Sequence, residues 1–262
     1  MSAHGAALFA RYAYPPNELG YCGPADASAL LRPEDTAVVE RHARRFEGAW
    51  CYLELLAEAA GLPDPLDERV VEAYWIGNEL LERTDPAALL ARLRERFRGQ
   101  GGGTWQDASD RARAHHSFQV FEVYPWTRLL VASGHPTALS VLDRCRIRTG
   151  VVRSVGGERA EVESRPLLWT GGRLVHGAPR RESVRWSTGG RSLVPGLGPG
   201  DLVALHWDWV CDVLTEQQAA RIEAAEARQL AAQGLTTGWP APSGGRVAGA
   251  GTGAAVLPGR SG

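Results

Sequence analysis

The amino-acid sequence predicts an α+β protein, with a mostly helical domain over residues 1–140, a small β-barrel plus one helix over 141–232, and a disordered tail over 233–262. Three observations carry this reading. Between Glu34 and Phe97 apolar residues recur at three- and four-residue steps, the period of a helix with one buried face. After Arg146 the texture changes to short β-branched runs punctuated by Gly pairs. From 234 onward Gly, Pro, Ser and Thr dominate without any period, which is the composition of a chain that cannot bury enough apolar surface to order itself.

The helical elements follow in order. In Glu34–Ala60 the residues Val38, His42, Phe46, Ala49, Leu53 and Leu56 form one apolar stripe, closed by Gly61. Leu66–Arg83 repeats the pattern with Val70, Val71, Tyr74, Ile76, Leu80 and Leu81. Asp85-Pro86 then reads as an N-cap followed by a first-turn proline, opening a helix over Ala87–Phe97. Arg98–Thr104, with its run of glycines, is a break. Beyond it a helix is expected over Trp105–His116, and Phe118–Trp126 alternates enough to predict a strand ended by Tyr124-Pro125. Leu129–Val131 and Ala138–Leu142 are apolar and are expected to pack on the helical part.

The barrel rests on six short strands: Ile147–Val155, Arg159–Ser164, Pro166–Trp169, Leu174–Gly177, Glu182–Ser187 and Asp201–Trp207. Gly156-Gly157, Gly171-Gly172 and Gly189-Gly190 punctuate them. So many short strands in so little chain predict a small OB-like barrel, because closure removes exposed edges. Thr215–Ala232 then reads as a helix, with Thr215 and Gln218 spaced as a capping box.

Composition narrows the function. The 262 residues are 44% hydrophobic, enough for real cores, and the formal charge of −1 supplies no general pull toward nucleic acid. No apolar run approaches the roughly 20 residues that span a bilayer, and Met1–Tyr14 lacks the apolar segment of a secretory signal, so a cytoplasmic protein without membrane or nucleic-acid partners is expected. All 29 basic residues are arginines, which reflects a GC-rich genome rather than phosphate recognition. Cys22, Cys51, Cys145 and Cys211 are far apart, so neither a zinc knuckle nor a redox dithiol is indicated.

Two residues stand out for chemistry. Cys145 lies where the helical texture gives way to the first barrel strand, and the flanking Arg144, Arg146 and Arg148 would favour its thiolate. His206 ends the expected last strand; counting in twos, Leu202, Ala204 and His206 share one face and Val203, Leu205 and Trp207 the other, so a core-facing Trp207 would leave His206 pointing outward. Further candidates are Cys22, in the turn Gly20-Tyr-Cys-Gly-Pro24, and the adjacent His115 and His116, which diverge on a helix and so cannot easily grip one ion together; convergence in space of Cys22, His115 or His116 with Cys145 would make a composite metal site.

The order Cys145-Arg-Ile-Arg-Thr-Gly150, barrel strands, Pro199-Gly-Asp-Leu-Val-Ala-Leu-His206, then Thr215-Glu-Gln-Gln-Ala-Ala-Arg-Ile-Glu223 resembles the hydrogenase-assembly chaperone family HypC/HupF. The resemblance covers residues 141–232. Phe9–Pro24, in the remaining part, resembles uncharacterised actinobacterial proteins associated with hydrogenase loci. In the HypC/HupF family the cysteine holds an iron carrying cyanide and carbonyl ligands together with a partner scaffold protein, for delivery to the hydrogenase large-subunit precursor. The resemblance therefore implies a non-enzymatic nickel–iron hydrogenase maturation factor, with Cys145 as iron ligand, His206 beside it, and those two proteins as partners. This sequence departs from the pattern in two ways: Cys145 is internal, and Arg146, Arg148 and Thr149 replace small, apolar and proline positions. The rival expectations are a cysteine-dependent enzyme using Cys145 with His206 as base, and a metal-free protein-interaction module.

Overall fold

In a computed structural model that describes residues 2–99, 103–109 and 111–235, the chain begins with a helix that its sequence pattern hides. Helix α1, Ala3–Glu18, is capped by the Ser2 hydroxyl, which accepts from the Gly5 amide, and it ends in a turn containing Pro15 and Pro16. The single stripe over Glu34–Ala60 is two helices, α2 (Thr36–Ala43) and α3 (Glu47–Ala60). Arg44, Arg45 and Phe46 turn the chain between them, and the stripe survives the break because both helices face the same core. Gly61 ends α3 with a left-handed φ of 67°. The second stripe divides similarly into α4 (Glu68–Trp75) and a 3-10 turn, Glu79–Arg83, on either side of Gly77, whose φ is 99°. Helix α5, Pro86–Arg96, opens on Asp85, which accepts from the Ala87 amide.

The next segment reverses two expectations. Instead of a helix over Trp105–His116 there is a 3-10 turn, Trp105–Asp107, followed by irregular chain. Instead of a strand over Phe118–Trp126 there is helix α6 (His116–Phe118), running into a π-helical turn, Gln119–Val123. Every residue from His116 to Val123 is buried, Gln119 and Glu122 included, so the polar positions that looked like a solvent face are internal and the alternation carries no information. Glu122 is held by Arg111 at 2.9 Å and by the Thr104 hydroxyl. Helices α7 (Trp126–Ser133) and α8 (Pro136–Cys145) follow.

The second half is a barrel of five strands where six were expected: four of the expected strands enter it, an unforeseen one, Trp209–Val213, joins them, and the expected strands over 166–169 and 174–177 form a hairpin outside it. Strands β1 (Arg148–Gly156), β2 (Arg159–Ser164), β5 (Arg180–Arg185), β8 (Leu202–His206) and β9 (Trp209–Val213) form a ring in the order β1-β2-β5-β9-β8. Four of the pairings are antiparallel; the ring closes through one parallel pair, Arg185 opposite Trp209. Two small hairpins lie outside it, β3 (Leu167–Thr170) with β4 (Arg173–His176), and β6 (Ser187–Thr188) with β7 (Arg191–Ser192). Val152, Val162, Val184, Val203, Leu205 and Val210 fill the interior.

Helix α8 runs across the 140/141 boundary, and the largest core cluster takes Phe9, Leu53, Trp75 and Phe118 from the helices together with Ile147, Ala204, Trp209 and Cys211 from the barrel. The barrel wall against the helices is therefore buried on both faces. Helix α9, Glu216–Leu235, starts at the Thr215–Gln218 capping box and runs slightly past residue 232; the rest of the expected tail lies outside the described residues. Among the described residues no helix is long and apolar enough to cross a membrane.

Candidate metal centre

The strand register decides where Cys145 and His206 lie. Strands β1 and β8 run antiparallel with Arg148 opposite Leu205, so one step further sets Ile147 opposite His206 and brings the end of α8 beside the β8–β9 turn. A backbone bond fixes this junction: the Trp207 amide donates to the Arg144 carbonyl at 2.7 Å, and an Arg148 guanidinium nitrogen donates to the Trp207 carbonyl at 2.7 Å. The turn itself is unusual. Trp207 has a left-handed φ of 56° at the first of two turn residues, a position that favours Gly, Asn or Asp. Its ring stacks on Tyr21 with centroids 4.1 Å apart.

His206 does not point outward, as counting in twos had implied, and it does not end the last strand, since β9 follows it. It is 1% exposed, because the face opposite the barrel interior is covered by α1 and α4 rather than by water. Its Nδ1 lies 2.7 Å from the Tyr12 carbonyl and must donate there, which leaves the Nε2 lone pair without a hydrogen-bond partner. That carbonyl is open for a reason legible in the sequence: its helical donor would be the amide of residue 16, and Pro16 has none.

One donor atom each of His116, Cys145 and His206 lies within 4.8 Å of the others, and all three residues are buried. His116, at the start of α6, packs against Trp75 with centroids 4.5 Å apart and meets the His206 ring edge-on at 5.2 Å. Its Nδ1 is buried and unpartnered. His115 takes a different direction: its Nδ1 accepts from the Ser117 amide at 3.0 Å and so caps α6. Cys22 is half-buried, with its sulfur 3.6 Å from the Tyr124 hydroxyl and outside the three-donor group.

The electrostatics correct a second expectation. The arginines beside Cys145 do not favour its thiolate. Arg146 is turned onto Glu226 of α9 at 2.7 Å and Asp143 at 3.0 Å, and Arg148 onto Glu182 at 2.8 Å. Cys145 also ends α8, where the helix presents its negative pole. Burial pushes the thiol well above its ordinary value, and Cys22 adds to the effect. Burial likewise drives His206 down to about 3, with Arg148 adding to the fall and the Tyr12 and Cys145 backbone pulling upward, and it drives His116 well below the ordinary imidazole range. Near neutral pH the cluster is thus one thiol and two neutral imidazoles. Such a set suits a soft or borderline transition-metal ion, which would bind by expelling the thiol proton.

Sequence reasoning offered Cys145, His206, His116, His115 and Cys22; the first three converge, His115 caps a helix and Cys22 stands at the margin. The aromatic wall of Tyr12, Tyr74 and Trp75 was not foreseen as part of the site, and the proline pair was the only local signal that pointed to it.

A family model described as a family of unknown function, DUF6390, matches residues 1–237. No curated protein and no solved structure matches the chain.

Proposed function

Starting from a chain that belongs to the DUF6390 family, whose description leaves the activity open, we propose that it is a non-enzymatic, cytoplasmic maturation factor of nickel–iron hydrogenases. On this reading Cys145 holds the iron–cyanide–carbonyl unit as cargo, His206 stands beside it, and the partners are the large-subunit precursor and the iron-site assembly scaffold protein. The observation that supports it most is the convergence of the Cys145 thiol with an imidazole whose Nε2 lone pair is free. A low-spin, electron-rich iron prefers a soft sulfur ligand, and an imidazole held from its far nitrogen can complete or orient the site.

The departures from the HypC/HupF pattern have a structural use. Arg146 and Arg148 tie the strand after the cysteine to α9 and to β5, so they act as buried struts and leave the thiol unengaged. The enzyme reading is weaker. A nucleophilic cysteine needs surroundings that favour its thiolate, and an imidazole driven to about 3 is a poor base near neutrality.

The test is Cys145→Ala in the host. Hydrogenase maturation is expected to be lost while the purified variant keeps its circular dichroism and melting temperature, and wild-type protein purified without oxygen should show cyanide and carbonyl stretches in the infrared. Full maturation with the variant would rule out the ligand role.

A further inference from the structure

We infer that His116 is the third protein ligand of the metal centre, so that the helical half of the chain completes a Cys–His–His site which the barrel alone cannot form. This rests on the reading that Cys145 holds metal, and extends it to a residue outside the segment that resembles HypC/HupF.

Three observations carry the inference. His116, Cys145 and His206 each place one donor atom within 4.8 Å of the other two, with no carboxylate among them. On each of the two histidines one buried nitrogen, Nδ1 of His116 and Nε2 of His206, has no hydrogen-bond partner among the described residues, as is also true of the Tyr12 hydroxyl and Trp75 Nε1 in the wall beside them, so the pocket as a whole is short of polar partners. Finally, the other nitrogen of His206 is committed to a backbone carbonyl, the arrangement that fixes the tautomer and aims the free lone pair in metal-binding histidines. A histidine serving only as packing against Trp75 would be expected to satisfy its own Nδ1.

The donor set defines the ion. One thiolate and two imidazoles suit divalent zinc, cobalt or iron and not magnesium or calcium. With metal–nitrogen distances of about 2.0–2.1 Å and metal–sulfur of about 2.3 Å, tetrahedral donors lie roughly 3.3–3.6 Å apart, so the cluster needs to contract by about 1 Å. Three protein ligands leave one position open, as exchangeable and catalytic sites do. The ion would join the end of α8, the end of β8 and the start of α6, and so clasp the two halves of the chain.

The experiment uses the full chain, reduced and free of oxygen, titrated with Co²⁺. One equivalent should bind with intense tetrahedral visible bands and a single thiolate-to-cobalt charge-transfer band. X-ray absorption of that protein should fit one sulfur and at least two imidazole nitrogens. His116→Phe keeps an aromatic ring against Trp75 while removing the donor; it should fold normally, bind cobalt at least tenfold more weakly and lose the tetrahedral bands. Unchanged affinity and spectrum in a folded His116→Phe protein, or a single imidazole in the absorption fit of the wild type, overturns the role of His116 and leaves a Cys145–His206 pair standing. A charge-transfer band that survives in Cys145→Ala overturns the carrier reading itself. Failure of folded wild-type protein to take up cobalt overturns the inference as well. The absorption fit does not depend on any variant folding.

Discussion

Lowering the pH from 7 to 5 should destabilise the metal-free protein far more than its surface chemistry would, because three histidines are buried without charge. His115, His116 and His206 are each 3–5%, or less, exposed. Burial drives His115 down to about 4 and His206 to about 3, and His116 well below the ordinary range. The ordinary value is 6.5, so between that pH and the native values the unfolded chain binds protons that the folded chain refuses. The stability these residues confer is complete above 6.5 and is lost as the pH falls through it. Each histidine that stays neutral in the fold loses about 2 kcal/mol between pH 7 and pH 5, and three lose roughly 5–6 kcal/mol. That is a large share of the about 5–15 kcal/mol by which folded proteins are stable. Glu182, held low by Arg148 and Ser164 despite its burial, titrates below this window, and Asp212, raised by burial, works in the opposite sense. For a chain of this length the loss corresponds to a melting temperature lower by roughly 10–20 °C. Thermal unfolding followed by circular dichroism with a chelator present measures it, and calorimetry in buffers of different ionisation enthalpy should find about three protons taken up per molecule unfolded at pH 5. A drop of under roughly 4 °C, with fewer than about one proton taken up, would refute the burial of this trio.

Two further predictions concern the struts and the packing around the site. Arg146→Met leaves the buried Glu226 with only His176, at 3.2 Å, and should cost about 3–5 kcal/mol in urea unfolding, whereas adding Glu226→Leu should recover most of that, Asp143 keeping the Leu167 amide at 2.8 Å; equal costs for single and double variants would show that the pair is not the strut described here. Gly5→Ala places a methyl carbon 1.9 Å from the Leu66 carbonyl oxygen and should cost at least about 3 kcal/mol, while Gly20→Ala meets open space and only a left-handed φ, costing about 1 kcal/mol. Equal melting of the two variants would mean that α1 does not lie against the chain entering α4.

The parts of the fold legible in the sequence are those where burial alternates with exposure or where a turn demands a particular residue. Asp85-Pro86 and Gly61 mark helix ends, and the Gly157, Gly171-Gly172 and Gly189-Gly190 turns, all with positive φ, divide the strands that sequence reasoning found. Strand β9 escaped because Trp209, Val210 and Cys211 are all fully buried, and because the turn before it carries Trp207 where a glycine would have announced it. Helix α1 escaped for a related reason: two prolines in its last turn look like a breaker, although only the carbonyls they leave open are disturbed. The approach of Cys145 to His206 was readable because it needs only two antiparallel neighbours, one led into by the thiol and one ended by the imidazole. The position of His116 was not readable. It depends on the His116 ring at the start of α6 meeting the His206 ring at the end of β8, 90 residues later in the chain, and no spacing rule reaches that far.

Two local irregularities argue that the imidazole is held for a purpose beyond filling space. Pro16 leaves the Tyr12 carbonyl without its helical donor, and His206 supplies the missing hydrogen from Nδ1. Trp207 adopts a left-handed backbone at a cost of about 1–3 kcal/mol, and the amide thus turned binds the Arg144 carbonyl beside the thiol. Either feature alone is an ordinary accommodation. Together they fix the residues at the junction, so that the thiol and the His206 ring come within reach of each other, while among the described residues no hydrogen-bond donor meets Nε2. Packing alone would reward the opposite outcome, since pairing Nε2 with any nearby donor would remove the penalty of about 1–3 kcal/mol for an unsatisfied buried group. On the reading proposed above, an imidazole held so firmly at one nitrogen, beside a thiol and a second imidazole, is oriented for a partner that accepts its lone pair, and a metal ion that displaces the thiol proton would meet that requirement for all three groups at once.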